Sequence, residues 1–105
     1  MALQATPAEL AKVILSGLPF AIKFYASWCV PCKAYGIIYD AVAAENPDYP
    51  MYEFQIDASP DNTEYAKSIG IRGVPHTLYR KKSGGDPAAF VGAVTKEQLK
   101  GKINA

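Results

Sequence analysis

The chain has 105 residues, half of them apolar, which is enough for the hydrophobic core of a single domain over residues 1–105. Eleven basic against ten acidic residues give a net charge of +1 without a run of like charges, which argues against nucleic acid or an anionic membrane as a partner. No stretch approaches the ~20 apolar residues of a membrane span, and residues 1–5 lack the features of a secretory signal. We therefore expect a cytoplasmic monomer.

The predicted elements begin with a helix, because Thr6-Pro7-Ala8-Glu9 has the pattern of a capping box with proline in the first turn. Gly17 ends this helix. A near-continuous apolar run over residues 19–26 then predicts a strand that is covered on both faces. A second helix is predicted from Lys33 to Asn46, where a following proline ends it. The predicted inward face of this helix consists of Ile37, Ile38, Ala41, Val42 and Ala44.

Both cysteines lie between that strand and that helix, in Trp28-Cys29-Val30-Pro31-Cys32-Lys33. Two cysteines at this spacing can close a small disulfide ring when the first precedes a helix and the second lies in its first turn. The unpaired N–H groups and positive dipole end of a helix lower a thiol pKa from ~8.5 into the range ~3.5–7.5. Pro31 suits the first turn because it has no N–H to leave unpaired. We therefore expect Cys29, as the more exposed thiol, to attack a target disulfide and Cys32 to resolve the mixed disulfide.

Two other roles for the cysteines are less well supported. Two cysteines and one histidine cannot supply the four ligands of a closed zinc site from those residue types alone. A structural staple is also disfavoured, because a ring this small constrains little of the chain. We therefore expect no metal, and no cofactor other than a redox-active disulfide between Cys29 and Cys32.

The rest of the chain predicts three strands and two helices. Tyr52, Phe54 and Ile56 alternate with polar residues in a strand from Met51 to Asp57. The later elements are a helix over about residues 60–68 capped by Ser59, a strand over about residues 76–81, a turn over residues 83–87, a returning strand over residues 88–91 and a final helix that opens with Thr95-Lys96-Glu97-Gln98. The predicted fold is α/β, with about four helices on the two faces of a mixed sheet of four to five strands.

Three motifs follow one another along the chain: the cysteine motif Trp28-Cys29-Val30-Pro31-Cys32-Lys33, then Gly70-Ile71-Arg72-Gly73-Val74-Pro75, then Val91-Gly92-Ala93. Their order and approximate spacing resemble those of the thioredoxin family, from about residue 19 to the C-terminus and, in outline, over the first helix. The resemblance implies a thioredoxin fold and a thiol–disulfide oxidoreductase that reduces protein disulfides. It also implies disulfide-containing target proteins and an NADPH- or ferredoxin-linked reductase that recharges the dithiol.

The resemblance assigns roles to the matching residues around the dithiol. Cys29 matches the attacking cysteine, Cys32 the resolving one, and Trp28 a tryptophan whose ring shields one side of the pair. Pro75 matches a cis-proline that lies against the disulfide; its alternative is an ordinary trans turn proline.

A substrate groove is implied beside that proline. The backbone before it, at Gly73 and Val74, is free in the family to pair with an extended substrate. Gly92 matches a glycine of the same groove, where the missing side chain lets another backbone approach. A simple bend between strand and helix is the alternative for Gly92.

One pair of positions departs from the family. Typical members have a buried aspartate six residues before the first cysteine and a lysine facing it on the next strand, whereas this chain has Lys23 and Glu53. A lone ammonium in an apolar run is costly, so we expect a swapped ion pair beneath Cys32. Glu53 is then the candidate proton acceptor for Cys32, and Lys23 stabilises the thiolate electrostatically. In the alternative, Lys23 extends to solvent.

Three further departures are smaller. Val30 replaces a usual glycine next to Cys29 and is expected to affect the redox potential and the choice of target. Ile37 stands where the family has a proline, so the active-site helix is expected to be straighter. His76 stands where threonine is common; a protonated imidazole there would favour the thiolate, and otherwise it is a surface or core residue.

Two other functions stay open beside disulfide reduction. One is the same chemistry run toward disulfide oxidation or isomerisation, since small changes in potential reverse its direction. The other is a thioredoxin-like binding subunit that holds a partner without turnover.

Overall fold

A computed structural model describes residues 2–105 of the chain. Within these residues there are five strands and four helices. In chain order they are β1 (Leu3–Gln4), α1 (Pro7–Leu15), β2 (Phe20–Tyr25), α2 (Val30–Glu45), β3 (Met51–Gln55), α3 (Pro60–Ser68), β4 (His76–Arg80), β5 (Ala88–Val91) and α4 (Lys96–Ile103). The predicted α/β layout is confirmed, although α2 begins three residues before the predicted start at Lys33.

The five strands form one mixed sheet in the order β1-β3-β2-β4-β5. The first three of these strands are parallel, whereas β4 and β5 run antiparallel to their neighbours. Strand β2 is therefore central, and its carboxyl end lies beside that of β3, where Tyr25 pairs with Gln55. The short edge strand β1 was not predicted, because two residues give no recognisable pattern.

The helices cover both faces of the sheet. Helices α1 and α3 pack on one face, where the buried side chains are Leu10, Phe20, Ile22, Phe24, Phe54, Ala66 and Ile71. Helices α2 and α4 pack on the other, over a cluster that includes Ala21, Tyr35, Tyr39, Val42, Met51, Leu99 and Ile103. Alternate residues of β2 face opposite helices, and this alternation places Lys23 on the α2 face.

The predicted inward face of α2 was wrong in part. Ile37 is 75% exposed and Ala44 is exposed, whereas the buried residues of this helix are Cys32, Tyr35, Tyr39 and Val42. Tyrosine can occupy such positions because its ring packs as an apolar group and its hydroxyl finds a partner. The aliphatic pattern alone placed the inward face about a third of a turn away, and Val42 belongs to both faces.

The predicted starts of α1, α3 and α4 are confirmed by their caps. Thr6 and Thr95 each form a reciprocal capping box, with Glu9 and Gln98 respectively, and Ser59 caps α3. These caps satisfy N–H groups that have no partner within the helix. None of the helices in residues 2–105 is long and apolar enough to cross a bilayer.

Two buried hydroxyls link α2 to the sheet. The oxygen of Tyr35 lies 2.8 Å from Oγ1 of Thr77 in β4, and both residues are fully buried. Burial raises the pKa of Tyr35 to about 12, so its hydroxyl stays protonated at neutral pH.

Removing one of these hydroxyls should destabilise the fold. We expect Tyr35→Phe to lower the free energy of unfolding by ~1–3 kcal/mol, because Thr77 loses its buried partner. The double variant Tyr35→Phe/Thr77→Val should lose less than the sum of the single changes, as measured by urea denaturation. Tyr65→Phe on α3, whose ring is half-buried, is the control and should change by less than ~0.5 kcal/mol. Additive single changes would contradict the coupling.

Candidate active site

The two sulfurs lie where β2 leads into α2. Cys29 is the N-cap residue of α2, with extended backbone angles, and its sulfur accepts a hydrogen bond from the backbone N–H of Cys32 at 3.3 Å. The two residues form a disulfide, with Cα atoms 5.3 Å apart. Pro31 lies in the first turn of the helix, as expected. The helix therefore directs unpaired N–H groups at the sulfur of Cys29.

The expected difference in exposure between the cysteines is wrong for the disulfide form. Cys29 and Cys32 are each 4% exposed. They form a small buried cluster with Ala26, against which Tyr25, Ile56 and Val74 pack. The distinction between the two sulfurs is therefore one of position: Cys29 caps the helix, whereas Cys32 lies within its first turn.

The loop before β4 lies against the dithiol. The Val74–Pro75 peptide bond is cis, and the carbonyl oxygen of Val74 lies 3.7 Å from the sulfur of Cys29. Pro75 in turn accepts a hydrogen bond from the N–H of Gly92 at 2.8 Å. Gly92 has φ +96°, a conformation that other residues rarely adopt, and a Cβ added at Gly73 would lie 3.2 Å from Val91.

The surface around the disulfide is apolar. Trp28 is 69% exposed, Val30 is 75% exposed and Val91 is 64% exposed. Single exposed apolar side chains are common on protein surfaces, whereas a group of them around one site marks an interaction surface. The structure thus brings Trp28 and the Gly73–Pro75 and Gly92 loops to the rim of the dithiol.

The charge-reversed pair lies on the sheet below α2. Lys23 and Glu53 are register partners on β2 and β3, and Nζ lies 3.4 Å from Oε2. The side chain of Lys23 is only 5% exposed, which contradicts the alternative in which it extends to solvent. The ammonium also lies 4.8 Å from the ring centroid of Tyr25 and 5.4 Å from that of Tyr39.

The helix above makes room for this ammonium. A Cβ added at Gly36, in the middle of α2, would lie 3.1 Å from Nζ of Lys23. Glycine inside a helix costs ~0.5–1 kcal/mol relative to alanine, so the close approach explains its presence. A cleft of about 360 Å³ opens beside it and is lined by Lys23, Tyr25, Ala26, Ser27, Cys32, Lys33, Gly36, Ile37 and Asp40.

His76 lies on the opposite face of the sheet from Lys23. Its ring packs edge-on against Phe24, with centroids 5.9 Å apart, and burial lowers the pKa of His76. The imidazole is therefore neutral at neutral pH, which argues against a protonated His76 that favours the thiolate. Its Nδ1 is buried without a hydrogen-bond partner among residues 2–105, so His76 is not a satisfied core residue either.

Sequence reasoning missed three features of the site. Gly36 was not singled out, because its role depends on Lys23 being beneath it. Ser27 and Asp57 were also missed, although they are hydrogen-bonded to each other directly before Trp28. No spacing rule connects residues 30 positions apart. Residues 2–105 contain no group of three or more His, Cys, Asp or Glu side chains placed to hold a metal ion.

Breaking one side of the Lys23–Glu53 pair should cost more than removing both charges. We expect Lys23→Met to lower the free energy of unfolding by ~3–5 kcal/mol, because it leaves the carboxylate of Glu53 largely buried and unpaired. The double variant Lys23→Met/Glu53→Gln should recover part of this loss in urea denaturation. Lys33→Met, an exposed lysine in the first turn of α2, is the control. Single changes that simply add would contradict the pair.

Comparison with known proteins agrees with this geometry. The thioredoxin family model matches residues 2–105. Thioredoxin of Porphyra purpurea is 36% identical over 106 residues, which cover 96% of this chain and 92% of that protein. Thioredoxin of Acidithiobacillus ferridurans is 39% identical over 89 residues, covering 83% and 78% respectively. The X-ray structure of Fasciola hepatica thioredoxin superposes with a TM-score of 0.77 at 28% identity, covering 98% of this chain and 96% of that one.

The matched region includes the whole described fold, with its cysteine pair at the start of α2. The resemblance inferred from the three motifs is confirmed, as is the implied fold. The chain therefore belongs to the thioredoxin family, and it is a thioredoxin-type protein-disulfide reductase whose active site is the Cys29–Cys32 dithiol.

Proposed function

We propose that Cys29 is the attacking thiolate and Cys32 the resolving thiol in the reduction of protein disulfides. The observation that carries this assignment is the hydrogen bond from the N–H of Cys32 to the sulfur of Cys29 at the start of α2. An anion at that position is stabilised by the helix dipole and by a donor already aimed at it. Among residues 2–105 no hydrogen bond is donated to the sulfur of Cys32, which lies one turn further into the helix.

The proposed exchange has two displacement steps. The Cys29 thiolate attacks one sulfur of a target disulfide, so that the target bond breaks, a mixed disulfide forms and the released target thiolate takes a proton. Cys32 then loses its proton and attacks the sulfur of Cys29, which breaks the mixed disulfide and releases the second target sulfur. Two electrons pass to the target, and the Cys29–Cys32 disulfide that remains must be reduced again.

Targets are proposed to bind along the apolar rim of the dithiol. Trp28 offers an exposed ring, and the carbonyl of Val74, between Gly73 and Pro75, lies beside the sulfur of Cys29. Gly92 adds no side chain to this groove. An extended target segment with a small or apolar residue next to its cysteine suits these contacts, since Val30 and Val91 border the same surface.

The Lys23–Glu53 pair is proposed to adjust the chemistry of Cys32. Lys23 lines the same cleft as Cys32, so its positive charge favours the reduced, thiolate-bearing state. Glu53, held by Lys23, is the proposed acceptor of the proton that Cys32 gives up in the second step. Of the two partners, Lys23 is the one that lines the cleft.

A family member of this kind acts with disulfide-containing targets and a reductase that supplies electrons. We propose that this reductase is NADPH- or ferredoxin-linked and that the protein works as a monomeric single domain in the cytoplasm, where thiols are kept reduced. One relative, 34% identical over 93 residues, is described as chloroplastic thioredoxin M4 of Arabidopsis thaliana, so a plastid is the competing compartment.

Turnover of a protein disulfide tests the cysteine roles. We expect the wild-type chain to accelerate the reduction of insulin by dithiothreitol, and Cys29→Ser to abolish the acceleration, because the attacking thiolate at the N-cap of α2 is lost and Cys32 alone is buried in the first turn of the helix. Cys32→Ser, reduced beforehand and mixed with insulin after the dithiothreitol has been removed, should instead accumulate a mixed disulfide between Cys29 and insulin, visible on a non-reducing gel. If Cys29→Ser retained activity, or if Cys32→Ser formed no adduct, the assigned roles would be wrong.

The direction of the reaction follows from the reduction potential. A reductase should have a potential below that of cytosolic glutathione, about −220 to −260 mV, whereas an oxidase or isomerase should lie well above it.

Exchanging the charges of the buried pair through Lys23→Glu/Glu53→Lys moves negative charge beneath α2 and should lower the reduction potential of the dithiol by ~10–30 mV. Equilibration with glutathione measures both values. An unchanged or higher potential in the exchanged variant would refute the proposed role of Lys23.

A further inference from the structure

We propose that the carboxylate of Asp57, through its hydrogen bonds to Ser27, positions the turn that carries Trp28 and Cys29 for attack on a target. Asp57 is then a positioning residue of the exchange reaction, acting through Ser27. The inference rests on the proposed role of Cys29 as the nucleophile.

Residues 26–29 form a tight turn that ends at Cys29. The N–H of Cys29 donates a hydrogen bond to the carbonyl of Ala26 at 3.2 Å, so Ser27 and Trp28 occupy the two corners. Trp28 is 69% exposed, which means that little packing of its own side chain holds the turn in place. The direction of the Cys29 sulfur therefore depends on how the first corner, at Ser27, is fixed.

Asp57 fixes this corner with several hydrogen bonds. The backbone N–H of Ser27 lies 3.1 Å from Oδ1 and 3.3 Å from Oδ2, and the Ser27 hydroxyl also donates to Oδ2. Gln55 orients the carboxylate by donating to Oδ1 at 3.0 Å. The hydrogen bonds from the hydroxyl and the backbone of Ser27 lower the pKa of Asp57, so the carboxylate is ionised at neutral pH. Ser27 and Asp57 are both exposed, so water weakens each contact, and the turn is held by the three contacts together.

The sheet holds Asp57 firmly at this position. The ladder between β2 and β3 continues past the strands, since the N–H of Ile56 donates to the carbonyl of Tyr25 at 2.8 Å. Asp57 is the next residue, at the carboxyl end of β3. It is thus anchored by the strand that neighbours β2, rather than by a free loop.

The Asp57 contact and the substrate groove flank the turn from opposite sides. Strand β2 lies between β3 on one side and β4 on the other, so Asp57, which follows β3, and the Val74–Pro75 loop, which precedes β4, approach the end of β2 from different directions. A target that binds on the Val74 side meets the sulfur of Cys29, and the turn that carries this sulfur is held from the other side by the Ser27–Asp57 hydrogen bonds. We call these hydrogen bonds the brace. Misplacement of a reacting group by about 1 Å can cost ~100-fold in rate, so loss of the brace should reduce turnover.

A purely electrostatic role for Asp57 makes the opposite prediction. If Asp57 acted only as a nearby negative charge, its removal would stabilise the Cys29 thiolate and speed the reaction. In that case Ser27→Ala, which leaves the charge in place, would have no effect. The positioning role, in contrast, requires both Ser27 and Asp57, and it requires that the effects of their substitutions on turnover be coupled.

We would measure insulin reduction and iodoacetamide alkylation of the reduced protein for Asp57→Ala, Asp57→Asn, Ser27→Ala and the double variant Ser27→Ala/Asp57→Ala. The control is Asp61→Ala, which removes the same charge from the exposed first turn of α3. We expect kcat/KM to fall ~10-fold in Asp57→Ala and ~3-fold in Ser27→Ala, with the double variant no worse than Asp57→Ala. Asp57→Asn, which keeps one acceptor oxygen, should fall between Asp57→Ala and wild type, and Asp61→Ala should stay within ~2-fold of wild type.

Several outcomes would overturn the brace. They are an Asp57→Ala variant as active as Asp61→Ala, an unaffected Ser27→Ala, fully additive losses in the double variant, and faster alkylation joined to unimpaired insulin reduction. If Asp57→Ala fails to fold by circular dichroism, Ser27→Ala and Asp57→Asn decide the question. A wild type that does not reduce insulin would overturn the proposed function and the brace together, whereas an active wild type with an inactive Cys29→Ser isolates a failure of the brace alone.

Discussion

The hydrogen bond between the N–H of Cys32 and the sulfur of Cys29 is the contact on which the chemistry of this protein depends. It exists because a central strand ends at Tyr25, a tight turn follows, and α2 begins at Val30. Any lengthening of that connection would move the sulfur away from the helix N-terminus, where an anion is stabilised. The surrounding elements hold this arrangement: the Val74–Pro75 loop on one side and Asp57 on the other.

A second constraint lies beneath the active-site helix. A buried lysine faces α2 from the central strand, and its ammonium is matched by a carboxylate on β3 and by the faces of two tyrosine rings. The helix accommodates it through a glycine at position 36, where a side chain would press on the ammonium. Lys23, Glu53 and Gly36 therefore form one structural unit. The charge that faces α2 from the central strand is consequently positive here, the reverse of the arrangement implied by the family pattern.

Much of the fold could be predicted because local signals and topology agree. The capping patterns at Thr6 and Thr95, the apolar central strand and the cysteine spacing each specify their own element without help from the rest of the chain. The errors arose where tertiary context decides. Tyr35 and Tyr39 can be buried because each hydroxyl has a hydrogen-bond partner. The partner is Oγ1 of Thr77 for Tyr35 and the carbonyl oxygen of Tyr52 for Tyr39. A pattern of aliphatic residues in the sequence does not reveal such partners.

The active site, like the fold, could be predicted from the sequence only in part. The cysteines and Pro31 follow from sequence position, and the Lys23–Glu53 pairing follows from the family resemblance, in which these two positions face each other. The equal burial of the two sulfurs could not be predicted, because it comes from Val74 and Ile56, which are distant in sequence. The same holds for the contacts between Ser27 and Asp57, which depend on where the carboxyl end of β3 meets the turn after β2.

The central claim is that the helix start holds the sulfur of Cys29 as a thiolate near neutral pH. The most direct measurement is the rate of iodoacetamide alkylation of Cys29 in the fully reduced protein as a function of pH. The helix N-terminus predicts a midpoint within ~3.5–7.5, below the ~8.5 of an ordinary thiol. A midpoint at or above ~8.5, with a rate at neutral pH no faster than that of an unstructured cysteine peptide, would contradict the account.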